Sequence, residues 1–234
     1  SQNKKRFIYA SSAATYGAGD AGFSDDNSVE ALAKLRPLNA YGWSKHLFDE
    51  FVAMATEAGK EPVPPQWVGL KFFNVYGPNE YHKEEQRSVV NQIFPHAMHG
   101  RPVKLFHSYR PDYKDGEQLR DFIYVKDCVK IVMWMLANPH VSGLFNVGTG
   151  KARSFKDLAN STFAAVGKPA AITYIDMPEE LRARMREDWQ QWKSEFEAGG
   201  GQRNAQERLG ITRGGLRAAL GAAVRGDIPS LYES

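Results

Sequence analysis

Residues 67–78 read WVGLKFFNVYGP, an apolar run of strand length that ends in a polar segment containing proline. The preceding residues 39–58 carry apolar side chains at helical spacing, and Gly59 supplies a stop. Residues 7–12, FIYASS, form another short apolar run between a charge cluster and small polar residues, which is typical of a buried parallel strand. This order of strand, helix and strand predicts a parallel sheet and an α/β fold.

Later apolar runs continue the alternation. Strands are predicted at four of them: 103–106, 120–125, 144–147 and 172–175. Helices are predicted over 88–99, which Pro95 should kink or end, after Asp127, and after the N-cap residue Ser154. The helix after Asp127 is expected to have an apolar face that includes Val129, Val132, Met133 and Leu136. The run Gly148-Thr149-Gly150 is expected to form a turn rather than a phosphate-binding loop.

Composition excludes several classes of protein. The 234 residues are 42% hydrophobic and 24% charged, as in an ordinary globular chain, and the net charge of +3 is too small to indicate a nucleic-acid partner. No run approaches the roughly 18 consecutive apolar residues of a membrane helix. The single cysteine, Cys128, lies in an apolar run and cannot form an internal disulfide, which favours a core position and a cytoplasmic protein. The histidines lack the spacing of metal ligands, so no metal site is expected.

The last part of the chain has a different character. Residues 181–234 are interpreted as a divergent helical tail, with an amphipathic helix over 179–197 that ends at three glycines. The aromatic stripe of Trp189, Trp192 and Phe196 on this helix indicates self-association, and a homo-oligomer is expected.

Tyr41 and Lys45 are the first candidates for chemistry. Their i, i+4 spacing places both side chains on one face of the predicted helix. A nearby ammonium lowers the pKa of a phenol, which makes tyrosine a usable acid or base near neutral pH. Taken alone, the spacing is also compatible with a packed aromatic residue. However, the strands on either side of the helix end in Ser11-Ser12 and Asn74, and the carboxyl edge of a parallel sheet is where ligands bind.

Three motifs occur in order along the chain: residues 9–17 (YASSAATYG), 39–45 (NAYGWSK) and 72–78 (FFNVYGP). They resemble the extended short-chain dehydrogenase/reductase family, in particular its sugar-nucleotide epimerases and dehydratases. Within that family, residues 78–83 (PNEYHK) and 120–127 (RDFIYVKD) are most similar to ADP-heptose 6-epimerases. The resemblance covers the chain from about residue 5 to about residue 180.

The resemblance implies a fold and a set of roles. Residues 1–78 would be the second half of a Rossmann-like, doubly wound parallel sheet. Residues 79–180 would be a smaller α/β substrate-binding subdomain, interleaved with the last elements of that sheet. Catalytic roles are implied for Ser12, Tyr41, Lys45 and Lys83. Contacts with NADP or NAD are implied for Tyr41, Lys45 and Val75. Contacts with ADP-heptose are implied for Ser12, Asn74, Lys83, Phe106 and Arg120, of which Arg120 would bind the diphosphate.

Some of these residues have structural interpretations as well. Asn74 could close a turn after its strand, Lys83 could be a solvated surface charge, and Arg120 could pair with Asp121 or Asp127. The reaction expected from the resemblance is epimerisation of ADP-heptose at C6'' in lipopolysaccharide core synthesis. The alternatives are another nucleotide-sugar epimerase or dehydratase, and a truncated, non-catalytic binding or assembly module.

Two departures from the family pattern bear on the site. The glycine-rich dinucleotide fingerprint does not occur in these 234 residues, so an N-terminal part of the family domain is expected to be missing from this chain. Lys83 is followed by Glu84-Glu85-Gln86-Arg87, where a small, glycine-containing sequence would be expected.

Overall fold

The computed structural model describes residues 5–59, 63–109 and 111–179. Within these residues the chain divides into two compact units, one made of residues 5–72 with 133–146 and the other of residues 73–132 with 147–179. The sequence-based predictions for residues 181–234 lie outside the described residues.

The secondary structure alternates between strands and helices. The strands are β1 (Phe7–Ser12), β2 (Trp67–Phe72), β3 (Asn74–Tyr76), β4 (Val103–Phe106), β5 (Leu119–Arg120), β6 (Phe122–Tyr124), β7 (Gly143–Val147), β8 (Arg153–Ser154) and β9 (Ile172–Ile175). The α-helices are α1 (Val29–Leu32), α2 (Ala40–Ala58), α3 (Val89–Met98), α4 (Val125–Ala137) and α5 (Phe155–Ala165). None of the described helices is long and apolar enough to cross a membrane.

The first unit is built on a sheet in the order β1-β2-β7. β1 and β2 run parallel along their full lengths, which confirms the parallel sheet predicted from the strand, helix, strand order. The predicted helix over 39–58 is confirmed as α2, which ends at Gly59 in the left-handed conformation that favours glycine. Val68 and Leu70 of β2 and Leu47 and Val52 of α2 are buried, so apolar burial holds this helix in the unit.

The second unit has its own core. β4 pairs in parallel with β9, and the buried cluster is formed by Ile93, Ala97, Val103, Leu105, Ala159 and Phe163. These residues come from α3, β4 and α5, so two helices and a strand share one apolar interior. Ser154 is the N-cap of α5 as predicted, because its side chain accepts a hydrogen bond from Asp157 N.

Three local expectations differ from the structure. The helix predicted over 88–99 is confirmed as α3, but it does not end at Pro95: it continues to Met98, and Ile93 and Ala97 on either side of the proline are buried in the core. The predicted strand over 120–125 is interrupted at Asp121, whose backbone and side chain bind other segments, and Val125 already begins α4.

The third difference concerns which face of α4 is buried. The structure buries Cys128 and Met135, whereas Val129, Met133 and Leu136 of the expected apolar face are exposed. Because apolar residues occur all round this helix, its periodicity does not select a single face. The buried position of Cys128 agrees with the sequence-based prediction.

Candidate active site

The start of α2 presents Tyr41 and Lys45 one turn apart. Asn39 caps the helix by accepting a hydrogen bond from Gly42 N at 2.8 Å, and this fixes the first turn, which carries Tyr41. Lys45 Nζ lies 5.8 Å from the centroid of the Tyr41 ring and donates to the carbonyl oxygen of Ala10 at 3.0 Å. Tyr41 is 56% exposed. The phenol and the ammonium therefore lie together at an open surface, as their spacing predicted.

Ser12 lies at the carboxyl end of β1, where it begins the 3₁₀ helix Ala13–Tyr16. Its Oγ accepts a hydrogen bond from Ala14 N at 3.1 Å. A Cβ atom placed on Gly42 would lie only 2.8 Å from the carbonyl oxygen of Ala14, so glycine is required for this approach. The turn that carries Tyr41 thus packs directly against the turn that Ser12 begins.

A buried ionic network lies behind this pair. Asp49 and Lys71 are 0% and 1% exposed, and Lys71 Nζ lies 3.6 Å from Asp49 Oδ2. The Asp49 carboxylate also accepts hydrogen bonds from Tyr9 OH at 2.9 Å and Ser11 Oγ at 2.7 Å. Lys71 Nζ donates to Thr15 Oγ1 at 3.2 Å. Asp49 lies one turn of α2 after Lys45 and two turns after Tyr41, on the same face of the helix. The network therefore attaches the helix that carries this pair to β1 and β2.

Burial acts on both ionic partners. It raises the pKa of the Asp49 carboxyl above its ordinary value, although the Lys71 ammonium and the hydroxyls of Ser11 and Tyr9 oppose the shift. Burial likewise lowers the pKa of Lys71, opposed by the charge of Asp49. This network was not predicted from the sequence. The sequence signal that could have revealed the network is Lys71, which lies inside the otherwise apolar run of β2. A lysine that is buried in a sheet needs a partner for its charge.

Asn74 and Val75 lie on β3, which pairs in parallel with β6 in the second unit. Asn74 is opposite Phe122, and Val75 is opposite Ile123. The side chain of Asn74 donates through Nδ2 to the carbonyl oxygen of Asp121 at 3.1 Å, and its backbone N–H donates to the same oxygen at 3.0 Å. Asn74 is exposed and is the first residue of β3.

The side chain of Asp121 holds the glycine-rich bend after β7. Its carboxylate accepts hydrogen bonds from Thr149 N, from Thr149 Oγ1 at 2.6 Å, and from Gly150 N at 2.8 Å. These amides are the groups that a phosphate-binding loop would offer to a phosphate. Because an internal carboxylate already binds them, the segment serves as a bend, in agreement with the sequence-based prediction.

Arg120 lies on the short β5, opposite Arg153 of β8, and both side chains are exposed. Arg120 Nη1 donates to the carbonyl oxygen of the preceding residue at 2.7 Å. The two carboxylates considered as its structural partners bind other groups, since Asp121 holds the bend and Asp127 pairs with Lys130 at 2.9 Å. Like charges on directly opposed residues repel each other, and this repulsion would favour an anionic ligand. The sequence analysis did not identify Arg153.

Lys83 lies in the 3₁₀ segment Tyr81–Gln86 and is about half exposed. Its Nζ lies 3.6 Å from Glu80 Oε2. Glu80 is only 5% exposed and accepts hydrogen bonds from Gly77 N at 3.1 Å, Ser88 N at 2.8 Å and Ser88 Oγ at 2.6 Å. Burial opposes its ionisation, but these hydrogen bonds and the Lys83 charge lower the pKa of the Glu80 carboxyl below its ordinary value. The ionised Glu80 carboxylate therefore stabilises the fold fully above the ordinary pKa of a carboxyl group. This stabilisation is lost as the pH falls through the lowered pKa.

The candidate residues thus fall into groups. The first unit brings together Ser12, Tyr41 and Lys45, and the second joins Asn74 to the segment that carries Arg120. Phe106, half-exposed, ends β4 opposite Ile175, on a different sheet from Asn74. No group of His, Cys, Asp or Glu side chains in the described parts of the chain could hold a metal ion.

Glu84, directly after Lys83, adopts a backbone conformation that favours glycine. Its φ and ψ are 48° and −117°, and Gly17 adopts nearly the same angles, 62° and −126°. A side chain at such angles collides with its own backbone, at a cost of about 1–3 kcal/mol. The glycine expected after Lys83 from the family pattern therefore has a conformational reason.

Replacing Glu84 with glycine should raise the free energy of unfolding by about 1 kcal/mol, because the relief of strain exceeds the entropy that glycine gains in the unfolded chain. Urea unfolding measures the change. Gln86→Gly, in the same segment at helical backbone angles, is the matched control and should lower the stability instead. If both variants lose stability equally, Glu84 is not strained.

The profile of the NAD dependent epimerase/dehydratase family matches residues 1–148. The chain belongs to this family. The expected Rossmann-like α/β fold is likewise found in its structural neighbours.

Two similar relatives carry the same name. The chain is 52% identical over 179 residues to ADP-L-glycero-D-manno-heptose-6-epimerase of Nitratidesulfovibrio vulgaris, and 50% identical over 185 residues to the protein of that name from Fusobacterium nucleatum. Each alignment covers 76% of this chain, but only 53% and 54% of the relatives. The chain therefore spans about half the length of the curated relatives it matches.

A solved structure of a protein with the same name is also similar to this chain. The crystal structure of Helicobacter pylori ADP-L-glycero-D-manno-heptose-6-epimerase superimposes with a TM-score of 0.57 at 35% identity, over 74% of this chain and 49% of that one. MoeE5, solved in complex with UDP-glucose and NAD, gives a TM-score of 0.53 at 26% identity, over 73% of this chain and 51% of its own.

Proposed function

We propose that this chain carries the catalytic residues of a nucleotide-sugar epimerase that interconverts ADP-D-glycero- and ADP-L-glycero-D-manno-heptose at C6'', in the synthesis of lipopolysaccharide core precursors. The observation that carries the proposal is the exposed Tyr41–Lys45 pair on α2, packed against the turn that Ser12 begins. The names of the relatives at 50–52% identity supply the substrate.

The residues present fit the reactive end of a nicotinamide cofactor, NADP or NAD. Lys45 uses one N–H on the carbonyl oxygen of Ala10, and its other donors would hold the ribose hydroxyls beside the cofactor ring. Val75 would contact the nicotinamide. When bound, such a cofactor supplies a hydride acceptor that later returns the hydride, so the reaction needs no net oxidant.

Proton transfer is assigned to two residues. Tyr41, as a phenolate, takes the proton of the C6'' hydroxyl, and Ser12 holds the oxygen from which that proton leaves. The resulting ketone turns over, and Lys83 gives a proton to its oxygen when C6'' is reduced on the opposite face. Proton transfer by positioned groups contributes about 10²–10⁴-fold to a rate.

The remaining candidates bind the substrate. Asn74 would hold a sugar hydroxyl with its amide oxygen, while its amide nitrogen is occupied by Asp121. Phe106 would contact an apolar face of the substrate. Arg120 would bind the diphosphate, since its planar set of donors suits an anion with several oxygens.

The same proposal extends to organisation and location. We assign residues 1–78 to nucleotide binding and residues 79–180 to substrate binding. A homo-oligomer and a cytoplasmic location stay predictions, the first testable by light scattering of the purified chain.

The proposal is tested by titrating the purified chain with NADP⁺ and NAD⁺ in a calorimeter, and then incubating it with ADP-D-glycero-D-manno-heptose. Micromolar binding of one dinucleotide together with formation of the L-glycero epimer, detected by NMR of the sugar protons, would support the proposal. Lys45→Met should weaken dinucleotide binding about tenfold or more, because it removes a charged hydrogen-bond donor.

Other outcomes would favour the alternatives. A product that has lost water would favour a dehydratase. A folded chain that binds neither dinucleotide would contradict catalysis by these 234 residues and would favour a binding or assembly module, in accord with the absence of the dinucleotide fingerprint from the sequence.

A further inference from the structure

Lys83 lies in a loop whose two ends are joined by one buried carboxylate. The loop leaves β3 at Gly77 and returns at Ser88, the N-cap of α3. Glu80 Oε1 accepts hydrogen bonds from Gly77 N at 3.1 Å and Ser88 Oγ at 2.6 Å, and Oε2 accepts one from Ser88 N at 2.8 Å. A single side chain therefore links the end of a strand to the start of a helix.

The same residue holds Lys83 in two ways. The backbone N–H of Lys83 donates to the carbonyl oxygen of Glu80 at 3.0 Å, and Lys83 Nζ lies 3.6 Å from Glu80 Oε2. Hydrogen bonds to an ionised acceptor are stronger than neutral ones, particularly where water is excluded, and Glu80 is 5% exposed. The ammonium of Lys83 is thus paired with the Glu80 carboxylate, while its backbone is held by the main chain of the same residue.

The backbone around Lys83 also requires an external restraint. Asn79 and Glu84, on either side of it, have φ angles of +68° and +48°. Asparagine adopts positive φ readily, but glutamate keeps such an angle only where its surroundings impose it. The contacts of Glu80 with the two ends of the loop provide that restraint. A hydrogen bond from Arg87 Nε to the carbonyl oxygen of Glu84 at 2.7 Å restrains the part of the loop that follows Lys83.

We infer that Glu80 is a positioning residue: by joining Gly77 to Ser88 and pairing with Lys83, it sets where the Lys83 ammonium meets the substrate. The inference about catalysis rests on the proposed function, but the holding of the loop does not. Misplacing a catalytic group by about 1 Å can cost up to about 10²-fold in rate, so loss of this restraint should be measurable.

The first test needs no activity. In Glu80→Gln, amide hydrogen exchange at Gly77 and Ser88, followed by NMR, should accelerate about tenfold, because an amide group cannot replace both carboxylate oxygens as acceptors. Reductive methylation of Lys83, read by mass spectrometry, should also become several-fold faster. Ser88→Ala removes one donor to Glu80 and also the N-cap acceptor for Asn91 N, but it keeps the carboxylate. Exchange at Gly77 should therefore change less than in Glu80→Gln, which keeps the test informative if Glu80→Gln folds poorly.

The matched control is Glu30→Gln. Glu30 pairs with Lys34 at 2.9 Å, but both side chains are exposed, and exposed ion pairs contribute little. This control should leave exchange at Gly77 and Ser88 and methylation of Lys83 unchanged. Unchanged exchange and methylation in Glu80→Gln would overturn the inference, whether or not the chain has epimerase activity.

The second test separates positioning from a merely structural role. For epimerisation by folded protein, Glu80→Gln should lower kcat about tenfold and leave KM within about twofold, and it should have no further effect in a Lys83→Met background. An unchanged kcat alongside faster exchange would overturn the positioning role. If the wild-type chain is inactive while exchange and methylation respond as expected, the proposed function fails and the holding of Lys83 by Glu80 stands.

Discussion

Tyr41→Phe is expected to lower kcat for epimerisation about 10³-fold, within the range that a positioned proton-transfer group contributes. The substitution removes only the phenol oxygen, which we propose takes the C6'' proton. Because Tyr41 is more than half exposed, the fold should change little. The rate is measured from the ratio of the two ADP-heptose epimers over time, and the melting temperature confirms that the variant is folded.

Ser44→Ala is the matched control for Tyr41→Phe. It also removes one hydroxyl from the start of α2, but Ser44 Oγ donates to the carbonyl oxygen of Tyr41 within the helix itself. We expect its rate to stay within about threefold of the wild type, since back-bonded helix serines contribute little. A Tyr41→Phe variant that keeps its rate would show that Tyr41 is a surface aromatic residue rather than the acid or base.

The elements that the sequence predicted well are those set by local patterns. The helix over 39–58 follows from its apolar spacing, and the stop at Gly59 acts as expected. The closeness of Tyr41 and Lys45 follows from helix geometry alone, because residues four apart share a face. The parallel pairing of β1 and β2 follows from the connection between them, since a helical crossover returns the chain in the same direction.

The residues that the sequence analysis missed act through partners distant in the chain. Asp49 contacts Tyr9 and Ser11 on β1 and Lys71 on β2, and no sequence pattern within α2 indicates these partners. Asp121 was considered only as a partner for Arg120, whereas it binds the bend at Thr149. Side-chain partners of this kind depend on tertiary packing, which periodicity does not encode.

Asp49→Ala should have the largest effect on stability, a loss of about 3–5 kcal/mol in the free energy of unfolding. It would leave the Lys71 ammonium, 1% exposed, without its counter-charge, and the hydroxyls of Tyr9 and Ser11 without their acceptor. Urea unfolding at neutral pH measures the loss as a lower midpoint at an unchanged m-value. The exposed pair gives the control: Glu30→Ala should cost less than about 1 kcal/mol, because water already solvates both charges.

A double variant decides whether the cost arises from the orphaned charge or from the loss of the pair itself. Asp49→Leu with Lys71→Met replaces both ions by apolar side chains of similar volume, and such replacements of buried pairs are often neutral. We therefore expect the double variant to be more stable than Asp49→Ala, although it lacks the ion pair altogether. If it is equally unstable, the hydrogen bonds of Asp49 to β1 account for the stability. If Asp49→Ala itself costs no more than Glu30→Ala, the network does not hold α2 to the sheet, and the position of Tyr41 and Lys45 must depend on the contact between Gly42 and Ala14 instead.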